Sequence, residues 1–251
     1  MRHFLAAIAF LTRIPVPTTY TFDATDVGKS ARWFPWVGAL IGVTCLCVYR
    51  GLSAFFPASV VAVAIVATET LLTGALHLDG LADMADGFGG GHSREDVLPI
   101  MRDHAIGSYG SIALVLLIAL KLTALDNLIE RHQVAPYLLI SPMLGRWSTV
   151  FLNVLLPYAR RSGSEGAQPG GNVTDRVSWR ELWMATLAAA LVTALLIQWR
   201  GLICWVAVLA VSGIMARICR ARIGGVTGDT LGASTELCEA AVLLVPLAMG
   251  A

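Results

Sequence analysis

Seven apolar stretches, each near the length needed to cross a bilayer, constrain this chain before any motif is considered. A transmembrane helix needs about 20 predominantly apolar residues. The stretches run roughly from Phe34 to Phe55, Ala58 to Leu76, Ser108 to Leu128, Val134 to Leu156, Leu182 to Gln198, Leu202 to Ile218 and Ser234 to Met249. The fifth and sixth are joined by little more than Trp199-Arg200-Gly201, which predicts a tight helical hairpin. The last is the weakest, because Glu236 and Glu239 lie near its start. Without it the count is six; it is eight if the short run from Phe4 to Leu11 inserts. That run lies between Arg2 and Arg13, lacks a small-residue cleavage pattern and is followed by Pro15 and Pro17. It reads as an interfacial or re-entrant helix rather than a signal peptide. Composition agrees: 56% of the 251 residues are hydrophobic and 14% charged, against roughly 25% charged in soluble domains. The expected fold is all-α and polytopic, one integral membrane domain over residues 1–251 with acidic, glycine-rich cytoplasmic loops.

Basic residues orient it. With the N-terminus in the cytoplasm, only Arg50, Arg131 and Arg200 of the 18 Lys and Arg residues fall on the far side, and only Lys121 and Arg146 fall within spans. The active surface is therefore expected to face the cytoplasm from the inner membrane. The net charge of +1 gives no footprint for nucleic acid. The five cysteines form no C-x-x-C pair and read as small buried hydrophobes.

Three cytoplasmic segments are long enough to matter: His77 to Gly107, Pro157 to Glu181, and Arg220 to Ala233. The first opens with His77-Leu78-Asp79-Gly80-Leu81-Ala82-Asp83-Met84-Ala85-Asp86-Gly87. On a helix at about 100° per residue, Asp83 lies roughly 40° and Asp86 roughly 20° from Asp79, so the three carboxylates share one face. Acids so crowded raise one another's pKa unless a cation sits among them, and Mg²⁺ carrying phosphate oxygens suits such a site. Glu69, two to three turns earlier and roughly 80° away on the same projection, is a carboxylate within a span and a candidate metal ligand. The third segment holds Gly228-Asp229-Thr230-Leu231-Gly232-Ala233-Ser234-Thr235-Glu236, with Asp229 and Glu236 about 20° apart on a helix. Gly228 and Gly232 allow close approach of a helix or ligand, and a glycine-rich turn entering a helix offers amides to phosphate. Arg102 is a candidate phosphate ligand. Arg146 and Lys121 are cations within spans that would meet either carboxylates or an anionic substrate. A metal held by aspartates at a membrane helix, with arginines nearby, fits a diphosphate-containing substrate.

The motifs His77 to Gly87, Met101-Arg102-Asp103-x-x-Ile106-Gly107-x-Tyr109-Gly110, Gly145-Arg146-Trp147 and Gly225-x-Thr227-Gly228-Asp229-x-x-Gly232-Ala233-x-x-Glu236 together closely resemble the cobalamin synthase family, in order and over most of the chain. His104 departs from the pattern, which favours a small polar residue there. The resemblance implies transfer of α-ribazole, or its 5′-phosphate, onto adenosylcobinamide-GDP with release of GMP and with Mg²⁺ as cofactor. It implies catalytic and metal-binding roles for Asp79, Asp83, Asp86, Asp229 and Glu236, with Glu69 also on the metal. Substrate contacts would come from Arg102, Asp103, Arg146, Lys121, Gly228 and Gly232. Self-association is left open. Two rivals remain: a CDP-alcohol-type phospholipid phosphotransferase, similar in its D-G-x-x-D-x-x-D spacing, and a transporter using Glu69, Lys121 and Arg146 as an ion-pair relay.

Overall fold

The computed structural model describes residues 1–17, 19–160 and 177–250. The Arg161-to-Arg176 part of the second segment, with its Pro169-Gly170-Gly171 centre, lies outside the described residues. Among those described there are eleven α-helices and no strands. In chain order they are α1 (Arg2–Leu11), α2 (Ala24–Ser30), α3 (Phe34–Leu52), α4 (Ala58–Thr73), α5 (Leu76–Gly90), α6 (Arg94–Ile100), α7 (Ser108–Glu130), α8 (Val134–Leu155), α9 (Trp179–Ile197), α10 (Arg200–Ile223) and α11 (Gly228–Ala248). Six helices are long and apolar enough to cross a membrane, and α4 with α5 makes a seventh, bent pair. The chain is thus a multi-pass membrane protein. At ten residues, α1 is about half a span; its Ala6, Ala7, Ile8 and Leu11 face is buried, and it packs on α2 and α3.

Helix α8 is the axis of the bundle. It contacts α3, α9, α10 and α11 and is buried nearly all round from Tyr137 to Asn153. Lipid tails are as apolar as leucine, so contact between membrane helices depends on close packing rather than on exclusion of water. The chain meets that need with a Gly-x-x-x-Gly pair on α3: a Cβ at Gly38 would lie 2.2 Å from the Pro142 carbonyl oxygen, and one at Gly42 would lie 2.4 Å from that of Leu138. The two backbones therefore touch, and no larger residue fits.

The sequence read the second apolar stretch as one helix reaching Leu76. Instead α4 stops at Thr73, and Gly74 (φ 63°) and Ala75 (φ 60°) turn the chain left-handed. Helix α5 leaves at 89° to α4. It therefore lies across the end of α4 rather than continuing it, and carries Asp79, Asp83 and Asp86 beyond the bend. The Glu69-to-Asp79 projection, which assumed unbroken helix, does not apply. The glycine-rich loops are also largely helical. The first is filled by α5 and α6, and the third shrinks to the four residues between Ile223 and Gly228, because the last span begins six residues before Ser234.

Candidate active site

The aspartates are brought together by the crossing of α5 and α11. A Cβ at Gly80 would lie 2.8 Å from the Asp229 backbone oxygen, and one at Gly232 would lie 3.2 Å from His77 Cα. These small residues are the packing surface of the crossing, the close approach expected of Gly232. They set Asp229, in the first turn of α11, beside Asp79 and Asp83 on α5. Asp79 is exposed, while Asp83 and Asp229 are half-buried. Burial, then the neighbouring charges of Asp229 and Asp79, push the Asp83 carboxyl up to about 7. This is the electrostatic signature of acids gathered without enough positive charge.

One cation is already present. A short parallel bridge joins Tyr158 to Val226, with the Val226 amide donating to the Pro157 carbonyl at 2.9 Å and the Ala159 amide to the Val226 carbonyl at 2.8 Å. The bridge delivers Arg160, whose Nη2 donates to Asp229 Oδ2 at 2.9 Å. Thr227 caps α11 through a capping box with Thr230 and also donates to Asp229 Oδ2 at 3.3 Å.

Asp86 has a different partner from its two neighbours. Its carboxylate accepts the amide of Gly107 at 2.7 Å and that of Gly110 at 2.8 Å, and so caps the N-terminus of α7 from another helix. That N-terminus has no side-chain cap of its own. Asp86 thereby fixes the start of the Gly107-Ser108-Tyr109-Gly110 turn. Arg102 and Asp103 lie exposed on the segment between α6 and α7, Asp103 accepting the Ala105 amide at 3.0 Å.

The glutamates do not join the aspartates. Glu236 lies seven residues along α11 from Asp229, roughly 10 Å deeper, and there Lys121 Nζ donates to Glu69 (2.9 Å), Glu236 (3.1 Å) and Glu239 (2.7 Å). Arg146 pairs with Glu239, and its Nη2 stands 3.4 Å from His77 Nδ1. Lys121 and Arg146 are 3% and 1% exposed. The candidate acids therefore fall into two groups, a rim of aspartates and a buried ionic network beneath it. In the structure Lys121 and Arg146 meet carboxylates of this chain rather than open space. The cavity beside them, about 10 Å³, has room for about one water.

The comparisons bear on what this arrangement does. A family model described as cobalamin-5-phosphate synthase matches residues 3–247. The chain belongs to that family. It is 38% identical over 245 residues to the adenosylcobinamide-GDP ribazoletransferase of Syntrophobacter fumaroxidans, covering 96% of each chain. It is 37% identical over 247 residues to that of Shewanella amazonensis, covering 97% of this chain and 94% of the other. It is also 36% identical over 248 residues to that of a Thermoanaerobacter species, covering 97% and 96%. No solved structure matches.

For a member of the cobalamin-5-phosphate synthase family the rim chemistry suits magnesium. Its donors are hard carboxylate oxygens. Among the described residues no three acidic, His or Cys side chains form a ready-made cage. Mg²⁺ does not require one, being held commonly by one or two carboxylates together with water and substrate phosphate. Sequence reasoning missed two arginines. Arg160 lies near the start of the Pro157-to-Glu181 segment, and its place beside Asp229 depends on a tertiary bridge with no local signature. Arg222 donates to the carbonyls of Phe88 and Gly91, each at 2.7 Å, and lies 5.6 Å over the Phe88 ring. It ties α10 to the glycine-rich end of α5. Its only sequence signal is a basic residue in the last turn of a span.

Proposed function

We propose that this chain joins α-ribazole, or its 5′-phosphate, to adenosylcobinamide-GDP and releases GMP, in the assembly of the nucleotide loop of cobalamin. The observation that carries the reading is the match to one enzyme family along nearly the whole chain, with the motif aspartates of two distant segments meeting at one crossing. One or two of the Asp79, Asp83 and Asp229 carboxylates would hold Mg²⁺, which would supply charge neutralisation for the diphosphate of the donor. Arg160 and Arg102 supply cations for the phosphate oxygens that the metal leaves uncovered. A ribose hydroxyl of the acceptor attacks the phosphorus attached to cobinamide. A new P–O bond forms, the P–O bond to GMP breaks, and the hydroxyl proton passes to a rim carboxylate or to water. Asp86 positions the start of α7 beside this rim, and Glu69, Glu236, Lys121 and Arg146 hold the helices beneath it. The rim faces the cytoplasm of the inner membrane, in keeping with the bias of basic residues toward that end of the bundle.

The reading is tested with membranes containing the chain, supplied with adenosylcobinamide-GDP and either α-ribazole or its 5′-phosphate, with and without Mg²⁺. GMP release coupled to cobalamin formation, lost on chelation, is expected. Equal turnover in excess chelator would remove the metal from the scheme, and no product from either acceptor would remove the activity. The acceptor giving the higher kcat/KM settles which of the two is used. The phospholipid-type alternative predicts CMP instead.

A further inference from the structure

At the end of the bundle opposite the aspartates, the α7–α8 and α9–α10 turns flank an open cleft of about 430 Å³. Sites for small molecules run from about 300 to 1,000 Å³. Its lining includes His132, Gln133, Tyr137, Gln198, Trp199 and Arg200, and no carboxylate. Tyr137 is 2% exposed, and Gln133 Oε1 is buried without a hydrogen-bond partner among the described residues. A buried acceptor is costly to leave unmatched, so its presence here points to a ligand with a donor. Arg200 stands beside the Tyr137 hydroxyl and forms no ion pair among the described residues. The backbone is held in unusual geometry on both sides, with His132 at φ 56° and Gln198 at φ 50°, ψ −129°. Non-glycine residues in such regions are strained and cluster at ligand sites. Trp199 is exposed at the mouth, and Phe55 and Phe56 are exposed in the α3–α4 turn. That turn is at the same end of the bundle, and such aromatics sit at headgroup depth in membrane proteins.

We infer that this cavity binds the phosphodiester headgroup of an anionic phospholipid, with Arg200 on the phosphate and the Tyr137 and Gln133 oxygens on the headgroup hydroxyls. A cation with no acid opposite it selects an anion. The absence of any lining carboxylate disfavours the ammonium of zwitterionic lipids, and the aromatic mouth at the bilayer surface favours a lipid over a soluble phosphate.

The test is native mass spectrometry of the full chain in detergent, titrated separately with phosphatidylglycerol, phosphatidylcholine and soluble glycerol 3-phosphate. Phosphatidylglycerol is expected to bind at least tenfold more tightly than phosphatidylcholine. Arg200→Ala should lose that preference, and Tyr137→Phe, which removes a single oxygen and leaves packing intact, should weaken it severalfold. Equal binding of the two lipids, or an unchanged preference in Arg200→Ala, overturns the inference. Displacement of phosphatidylglycerol by an equal concentration of glycerol 3-phosphate overturns the lipid assignment in favour of a soluble phosphate.

Discussion

Replacing Lys121 with methionine separates an internal role for the deep charges from a role in binding substrate. Methionine fills a similar volume but carries no charge. In the structure Lys121 Nζ is shared by three carboxylates within 3.1 Å, while Arg146 reaches only Glu239 among them. With every group ionised, two cations face three acids; without Lys121, one cation faces three, and Glu69 and Glu236 are left with no partner in a buried setting. Removing one member of a buried pair costs about 3–5 kcal/mol, mostly as the penalty of the charge left behind. At about 1.4 kcal/mol per factor of ten, the unfolded fraction should rise by roughly two to three and a half orders of magnitude. The assay is equilibrium unfolding in mixed micelles, followed by tryptophan fluorescence, alongside initial rates on the surviving folded protein. Neutralising an acid in the same background, as Lys121→Met with Glu236→Gln, should recover part of the loss, since one stranded charge is then gone. A Lys121→Met protein as stable as the parent but with a raised KM for adenosylcobinamide-GDP would refute the internal role and make Lys121 a substrate ligand.

Four further outcomes are expected. Asp83→Asn should abolish GMP release while the amount of protein in the membrane, measured by immunoblot, stays the same. Asp86→Ala should cost about 2 kcal/mol of stability, the upper range for loss of a helix cap, seen in the same unfolding assay. Gly80→Leu places a side chain where the α11 backbone already stands 2.8 Å from an ideal Cβ; the crossing must open, and a shift near 1 Å lowers kcat about 100-fold, read as GMP release per folded protein. Arg160→Gln removes a charged hydrogen bond worth about 1.5–3 kcal/mol and should raise KM for the donor at least tenfold in initial-rate measurements, leaving the fold intact.

The spans were legible because burying or lipid-exposing some twenty apolar residues leaves few options, and α7 and α8 begin where the apolar pattern does. What could not be read is where a helix breaks. Gly74 and Ala75 look like an ordinary pair within an apolar run, and Ala75 adopts a left-handed conformation that its side chain disfavours. Nothing local marks that choice; it follows from the packing of α5 across α11. The glycines were only half legible. Gly232 was read as permitting close approach of a helix or ligand, and the fold uses it so, while its partner at the crossing, Gly80, had no local signal that set it apart. Asp79 and Asp83 share a face of any helix that holds them, which made their pairing legible, whereas Asp229 joins them only through the crossing of α5 and α11. Glu69 was projected along one unbroken helix with Asp79 because the bend was invisible, and Arg160 was passed over because a two-residue bridge between distant segments brings it in.

The two groups of charges are linked by the mechanics of the bundle. Apolar membrane helices slide past one another at little expense, because lipid and leucine solvate them alike. Specific register then has to come from groups that tolerate only one alignment. Lys121 binds α7 to α4 and α11 together, Arg146 binds α8 to α11, and the contact of Arg146 with His77 extends the set to α5. A slip of one turn between α5 and α11 would move Asp229 by about 5.4 Å along the crossing, enough to take it out of reach of a cation shared with Asp83. It would also pull Glu239 away from both of its partners. The buried network therefore penalises the same displacement that would dismantle the rim, which is a physical reason for five charged side chains to lie beneath the proposed site.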